Sequence, residues 1–403
     1  ELVQADAVAR THRLLGEDVF FLTGADENSL KNVRAAEAAR QSTKVFIDSV
    51  TGKFIELAKT FGISHDGFLR TSTPAHHAGA QKLWQACKKD DIYRRHYEGL
   101  YCVGCEEFKT EKELADGRCL EHPNRPLERV AEENYFFRLS GYAARLEKLI
   151  RSGELHIIPV SRKNEMLKFI EDGLIDFSIS RSAARAKGWG VPVPDDPHQV
   201  MYVWFDALTN YITALGYADN APLFNQFWAR GGDILHIAGK GISRFHAIYW
   251  PAMLLSAGLR LPTAVFVHGY LTVDGRKISK SLGNAIHPLA FVDQYGADAV
   301  RYFLLREIPS GEDGDVSESK FRARYDADLA HGIGNFAARV LALAEPYGSV
   351  PVPAHGPAMD AIRAAREAVG RELDAFRFNE ALARVMELVS FGDRRVNETE
   401  LWE

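Results

Sequence analysis

Cys102 and Cys105 form a C-x-x-C pair, and Cys119 and His122 form a C-x-x-H pair beyond a short polar loop. Three thiolates and one imidazole at this spacing are the donor set of a closed tetrahedral Zn2+ site, with no position left for a reacting water. The metal is therefore expected to hold structure. A second concentration of chemistry is Lys277-Ile278-Ser279-Lys280-Ser281, two lysines and two serines bracketed by Gly275 and Gly283. Ammonium groups on such a loop offset charge developing on a leaving pyrophosphate, while hydroxyls and backbone N–H groups donate to phosphate oxygens. Standing alone, the same pattern is more often a solvated surface loop. Trp204, Ala207, Leu208 and Tyr211 share one helical face, and His246 and Trp250 share another. By themselves these stripes read as ordinary core, with His246 a satisfied buried histidine. Asp26 follows a β-rich run, at the place where doubly wound sheets bind ligands. Its carboxylate suits a substrate ammonium group; the plainer alternative is the N-cap of the next helix.

These residues need elements to hold them. Residues 1–15 have helical spacing, 19–23 (VFFLT) is a continuous apolar run of buried-strand type, and 29–40 is helical again. The same alternation returns at 234–237 (ILHI), which ends in Gly239-Lys240, in a helix over about 243–257, and in 264–267 (AVFV). It predicts an α/β fold: a Rossmann-type doubly wound parallel sheet. Residues 93–181 differ in texture, with the cysteines, short aromatic strands and a Gly- and charge-rich surface, and read as a zinc-bearing insertion. From Lys320 the pattern is almost entirely helical, broken only by the Pro/Gly-rich link 346–357, which predicts an all-α helical bundle.

At 403 residues the chain is long enough for two to four domains. With 46% hydrophobic and 26% charged residues it reads as globular, and a net charge of -5 leaves any nucleic-acid contact to local patches. Three of the four cysteines fall in one window, so a disulfide framework is excluded and a reducing, cytoplasmic setting is expected. Cys87, without a partner, reads as a small apolar residue. No apolar run is long enough for a membrane span, so no membrane partner is expected. The chain opens at Glu1 already in helical pattern, so residues before Glu1 are expected, as are further helices after Glu403.

KISKS resembles the KMSKS signature of class I aminoacyl-tRNA synthetases, and residues 268–284 (HGYLTVDGRKISKSLGN) resemble the methionine-specific members over their full length. FLTGADENSLK, YCVGCEEF, EENYFFRLS, DFSISRS, YVWFDALTNYI, FHAIYWPAML and DAVRYFLLREIPSGEDGD are similar to segments of that family, in the same order. The resemblance covers essentially the whole chain. It implies a Rossmann catalytic domain in two parts (1–92 and 182–267), a connective insertion with a zinc knuckle (93–181), a KMSKS loop and stem-contact region (268–325) and an incomplete helical anticodon-binding domain (326–403). It also implies ATP, L-methionine and tRNA(Met) as partners, with Mg2+ accompanying ATP.

Residue by residue, the resemblance places Lys280 and Lys277 in catalysis, and Lys277, Ser279, Lys280, Ser281, Gly239, Lys240, His268, Gly269 and Leu271 around ATP. Trp204, Ala207, Leu208, Ile242, Phe245 and Trp250 then wall the methionine side chain, Tyr211 and His246 lie near its sulfur, and Asp26 receives its ammonium group. A thioether gains from aromatic contacts and is only a weak acceptor, which suits such a lining. Asn335, Arg339 and Trp402 match anticodon-contacting positions, where amide, guanidinium and indole suit unpaired bases. The family's His-Ile-Gly-His type signature is expected ahead of Glu1. Gly241 stands where an aspartate commonly follows Gly-Lys, which removes a nucleotide contact, and Asn28-Ser29 replace a frequent His-Gly. Leucine, isoleucine and valine enzymes are disfavoured because residues 93–181 are too short for a large editing domain, and cysteine enzymes because the aromatic pocket lacks a thiolate zinc site. A non-catalytic tRNA-binding relative is disfavoured by KISKS, Asp26 and the pocket aromatics together.

Overall fold

Apolar runs set the first strand, but its register differs from the sequence pattern. The computed structural model describes residues 1–403 apart from 106, 110, 112–113, 121, 274, 278–287, 349–354 and 399–403. The chain divides into two units, one of Glu1–Glu17, Leu57–Ile63 and His268–Glu403, the other of Asp18–Glu56 and Ser64–Val267.

In the second unit the strand Leu22–Ala25 pairs in parallel with Gly67–Arg70, Leu22 opposite Gly67. The pattern placed this strand at 19–23. Asp66 accounts for the shift: its carboxylate accepts the Phe21 N–H at 2.7 Å and its own N–H donates to the Phe21 carbonyl at 2.8 Å, so a side chain satisfies that backbone before the ladder begins. A second sheet contains Leu235–Gly239, Ala264–His268 and His156–Ile158 in that order, the last two parallel with Ala264 opposite His156. His156–Ile158 lies inside the span that reads as an insertion. Leu146, Leu149, Ile150 and Ile157 nonetheless share one buried core with Leu254, Val265 and Val267. A three-residue strand carries too little pattern to reveal its partner, so sequence spacing missed it.

The metal-bearing part of this unit is an antiparallel pair, Ile92–Cys102 with Glu128–Phe137, in register from Ile92 opposite Phe137 to Tyr101 opposite Glu128. Glu107–Lys109 and Phe177–Ser178 extend it on either side. An ion pair joins this region to the helix Leu30–Ala38 that follows Asp26, Arg34 donating to both oxygens of Glu128 at 2.6 and 3.1 Å, and Lys187, farther along the chain, pairs with Glu37 of the same helix.

In the first unit, Asp6 on the helix Leu2–Leu14 is fully buried and pairs with Arg10 at 2.7 Å and Arg301 at 2.5 Å. Arg301 also donates to the Phe61 carbonyl and Arg10 to that of Gly62, so one carboxylate ties together three chain segments of the unit. The strand Leu271–Val273 lies between Arg276–Lys277, antiparallel, and Gly314–Asp315, parallel. The rest is helical, through Pro288–Tyr295, Ala297–Arg306, Glu318–Arg324, Asn335–Ala344, Pro357–Asp374 and Phe378–Glu398. Ser317 caps the third of these by accepting the Lys320 N–H. Among the described residues no helix is long and apolar enough to cross a membrane.

Candidate functional site

The aromatic residues picked out by helical spacing do converge. Trp204, Ala207 and Leu208 sit on the helix Val203–Leu208 and Tyr211 on the short helix Asn210–Thr213. Trp204 stacks on Phe245 with centroids 3.9 Å apart and planes 9° apart, and its indole N–H is buried without a hydrogen-bond partner among the described residues. The Tyr211 ring lies 5.7 Å from His246 and 6.2 Å from Trp250.

Hydrogen bonds fix the protons of this cage. His246 Nδ1 is 2.9 Å from the Ile242 carbonyl, which only accepts, so the proton belongs on Nδ1. Nε2 is then left as the acceptor, and the Tyr211 hydroxyl, 2.6 Å away, donates to it. A residue that sequence reasoning did not single out completes the set. His236, on the strand Leu235–Gly239, accepts the Trp250 indole N–H at 3.2 Å and packs 4.0 Å from the Tyr211 ring. Burial drives its pKa well below the usual histidine range, so it is neutral and can accept. The signal available was a polar residue inside an otherwise apolar buried run.

The helix carrying His246 and Trp250 is not regular. Phe245–Tyr249 forms a π-helical turn in which the Trp250 N–H bonds to the Phe245 carbonyl, five residues back, before the α-helix Trp250–Ser256. Pro251 explains it: proline lacks an N–H and crowds the carbonyl four residues earlier, and a widened turn relieves both. Sequence spacing predicted an uninterrupted helix here.

Asp26 lies one residue past Leu22–Ala25 and is exposed. The following helix is capped by Ser29, whose side chain accepts the Asn32 N–H at 3.1 Å, so Asp26 is not the cap. Gly239 ends its strand and Lys240 opens the turn Lys240–Ile242.

In the other unit, both ring nitrogens of His268 face oxygen acceptors, the Gly269 carbonyl at 2.8 Å and Glu1 at 3.1 Å. Gly269 passes so close to the turn at Glu312 that a Cβ would sit 2.0 Å from its carbonyl oxygen. Leu271 begins the strand Leu271–Val273, in which Thr272 is opposite Lys277. The base of that hairpin is anchored by carboxylates: Asp313 accepts the Tyr270 N–H at 2.8 Å, and Asp315 accepts from the Gly275 N–H at 2.8 Å and the Thr272 hydroxyl at 3.1 Å. The Gly275 N–H and then Lys320 hold the Asp315 carboxyl below the usual carboxylate range. Ser279, Lys280, Ser281 and Trp402 lie outside the described residues. Asn335 is exposed, and Arg339 donates to Asp393 and to Asn397, each at 2.7 Å.

The four candidate metal ligands have their donor atoms within 4.8 Å of one another. Cys105 Sγ is 3.5 Å from Cys119 Sγ and 3.2 Å from His122 Nδ1, and Cys102 Sγ is 3.9 Å from that nitrogen. Tetrahedral Zn2+ with Zn–S of about 2.3 Å and Zn–N of about 2.0 Å needs donors roughly 3.5–3.8 Å apart, so the set fits. At Gly104 a Cβ would lie 2.5 Å from the His122 ring, so only glycine lets the knuckle close.

The model for the tRNA synthetases of class I (M) matches residues 1–121 and 109–341. The chain belongs to that family. The methionine--tRNA ligase of Caldanaerobacter subterraneus subsp. tengcongensis is 44% identical over 99% of this chain and 63% of its own length. That of Thermotoga maritima is 43% identical over 99% of this chain and 64% of its own length. The chain thus spans just under two thirds of these relatives. The crystal structure of Mycobacterium tuberculosis methionyl-tRNA synthetase bound by methionyl-adenylate superposes with a TM-score of 0.92 at 39% identity, covering 100% of this chain and 80% of that one. The class I (M) fold accounts for the mixed α/β architecture with parallel strand pairs and a helical C-terminal part.

Proposed function

We propose that the protein is a methionine--tRNA ligase that activates L-methionine with ATP and transfers it to the 3′ end of tRNA(Met), for translation initiation and elongation. The observation that carries this is the Trp204/Phe245/Tyr211/His246/Trp250 cage, which brings together stacked aromatic faces and a fixed hydroxyl–imidazole pair. Polarizable, largely apolar walls favour a thioether over an aliphatic side chain of similar length. Ala207, Leu208 and Ile242 complete the lining, and Asp26 receives the ammonium group of the amino acid.

The methionine carboxylate attacks the α-phosphorus of ATP in line; a P–O bond forms, the bond to the β-phosphate breaks and pyrophosphate leaves. A hydroxyl of the terminal tRNA ribose then attacks the acyl carbon, its proton departs and AMP is released. No protein nucleophile is required, because positioning and charge stabilisation suffice for phosphoryl transfer. Lys280 and Lys277 offset charge on the triphosphate, Ser279 and Ser281 hydrogen-bond its oxygens, and Gly239, Lys240, His268, Gly269 and Leu271 frame the adenosine. Mg2+ enters with the nucleotide phosphates. Glycine at position 241 offers no side chain to the ribose.

The fold supporting this is a Rossmann-type sheet with a zinc-bearing insertion, in which Cys102, Cys105, Cys119 and His122 hold Zn2+ as a structural ion. Asn335, Arg339 and Trp402 read the anticodon, and cytoplasm is the setting that free thiols favour. The test is methionine-dependent ATP–pyrophosphate exchange by the full-length protein and its Lys280→Ala variant. A loss of about 100-fold or more in kcat is expected, the size of removing one transition-state charge contact; unchanged exchange removes Lys280 from catalysis.

A further inference from the structure

Glu27, next to the exposed Asp26, is only 2% exposed yet carries a carboxyl group. Its Oε1 accepts from the Thr51 hydroxyl at 2.5 Å and from Arg70 Nε at 2.8 Å, and its Oε2 accepts from the Ser72 hydroxyl. These donors come from three places: the helix Thr43–Thr60, the end of the strand Gly67–Arg70, and the turn after it. The main chain around Glu27 is held as firmly. Its N–H donates to the Thr71 hydroxyl at 2.8 Å and its carbonyl accepts the Trp189 indole N–H at 2.9 Å. Asn32 Nδ2 lies 3.3 Å from the carbonyls of both Asp26 and Glu27, and Asn28 Nδ2 donates to the Thr71 carbonyl at 2.9 Å.

A buried carboxylate with three donors is costly to disturb, because each donor left over loses its partner where burial limits replacement. These bonds hold both the side chain and the main chain of Glu27. What they fix is the backbone from which the Asp26 side chain projects. We infer that Glu27 is a positioning residue that sets the Asp26 carboxylate for the ammonium group of the amino-acid substrate. This rests on the methionine ligase function proposed above, and adds a determinant of amino-acid affinity that touches neither substrate nor nucleotide.

Glu27→Gln keeps the volume but removes the charge that pairs with Arg70 and replaces one acceptor oxygen by an NH2 donor, so Ser72 must accept where it now donates. In ATP–pyrophosphate exchange by the full-length protein, the methionine KM rises about 10-fold while the ATP KM stays within about twofold. Two inhibitors separate positioning from general damage. The inhibition constant of methioninol, which keeps the ammonium group, rises by the same factor as the methionine KM. That of 4-(methylsulfanyl)butanoic acid, which lacks it, does not change. Trp189→Phe, which releases the Glu27 carbonyl from outside the carboxylate cluster, gives a smaller shift with the same selectivity. If Glu27→Gln fails to fold by circular dichroism, Thr51→Val and Ser72→Ala, each removing one donor, carry the same comparison. Equal weakening of both inhibitors, or an unchanged methionine KM in a folded variant, overturns the assignment. No methionine-dependent exchange in the unsubstituted protein overturns the ligase function and this inference with it, whereas normal exchange there with unselective variants overturns the Glu27 role alone.

Discussion

The Tyr211–His246 pair shows how a backbone contact decides side-chain chemistry. Because the Ile242 carbonyl claims Nδ1–H, His246 presents Nε2 as an acceptor and orients the Tyr211 hydroxyl proton toward itself, leaving the oxygen lone pairs of Tyr211 turned away from the ring. Tyr211→Phe strands an acceptor on the buried His246, at a cost of about 1–3 kcal/mol in stability by denaturant midpoint. It also raises the methionine KM with the ATP KM unchanged in pyrophosphate exchange; equal changes in both would argue for general disruption. Helical spacing gathers Trp204, Tyr211, His246 and Trp250 on two faces but by itself reads them as core; only the family resemblance sets them, with Phe245, around a ligand. His236 was not legible: one imidazole in an apolar strand has no periodic signature, and its value comes from Trp250 and Tyr211, brought to it only by the fold. Glu27 escaped notice for the same reason, since its donors lie 24, 43 and 45 positions away.

Among the elements, local irregularities are what place chemistry. The π-turn before Pro251 and the carboxylate-anchored hairpin at Gly275 both depart from periodic structure, and periodicity cannot announce them. Asp315→Ala frees the Gly275 N–H, the Thr272 hydroxyl and Lys320 together, so the base of the lysine-rich loop loses its anchor. The expected outcome is a kcat for exchange lower by about 10-fold with little change in methionine KM, and partial recovery in Asp315→Asn, which keeps an acceptor oxygen. The Cys/His quartet was the most legible feature of all, because its paired spacing foretold that the four donor atoms gather within 4.8 Å of one another. Cys105→Ala should purify without the one zinc per chain expected of the parent and melt at lower temperature; retained stoichiometric zinc would exclude Cys105 as a ligand.

Across the molecule, buried histidines couple stability to acidity. His76 is fully buried, with Nδ1 2.8 Å from the Thr213 hydroxyl, and burial lowers its pKa from 6.5 to about 4 although a hydrogen bond to the Asp206 backbone opposes this. The folded protein keeps this ring neutral while the unfolded chain protonates near 6.5, so the stability present at neutral pH is lost progressively as pH falls from 6.5 toward 4. His236, shifted in the same direction, steepens this loss, while the buried Asp206 carboxylate 3.8 Å from His76 Nε2 softens it. His76→Asn, measured by denaturant midpoints at pH 7 and pH 4.5, should show a shallower acid loss than the parent, and an identical slope would contradict this. At this scale the alternation of helix and strand was readable, as was the helical C-terminal part, whereas the pairing of His156–Ile158 with Ala264–His268 joins residues more than a hundred positions apart and is settled by burial of Ile157 in the common core. The most direct measurement of function is ATP–pyrophosphate exchange by the full-length protein against each of the twenty amino acids. Exchange driven by methionine, and abolished by Asp26→Ala, is the expected result; exchange driven by another amino acid, or none with methionine, would contradict a cage built for a thioether.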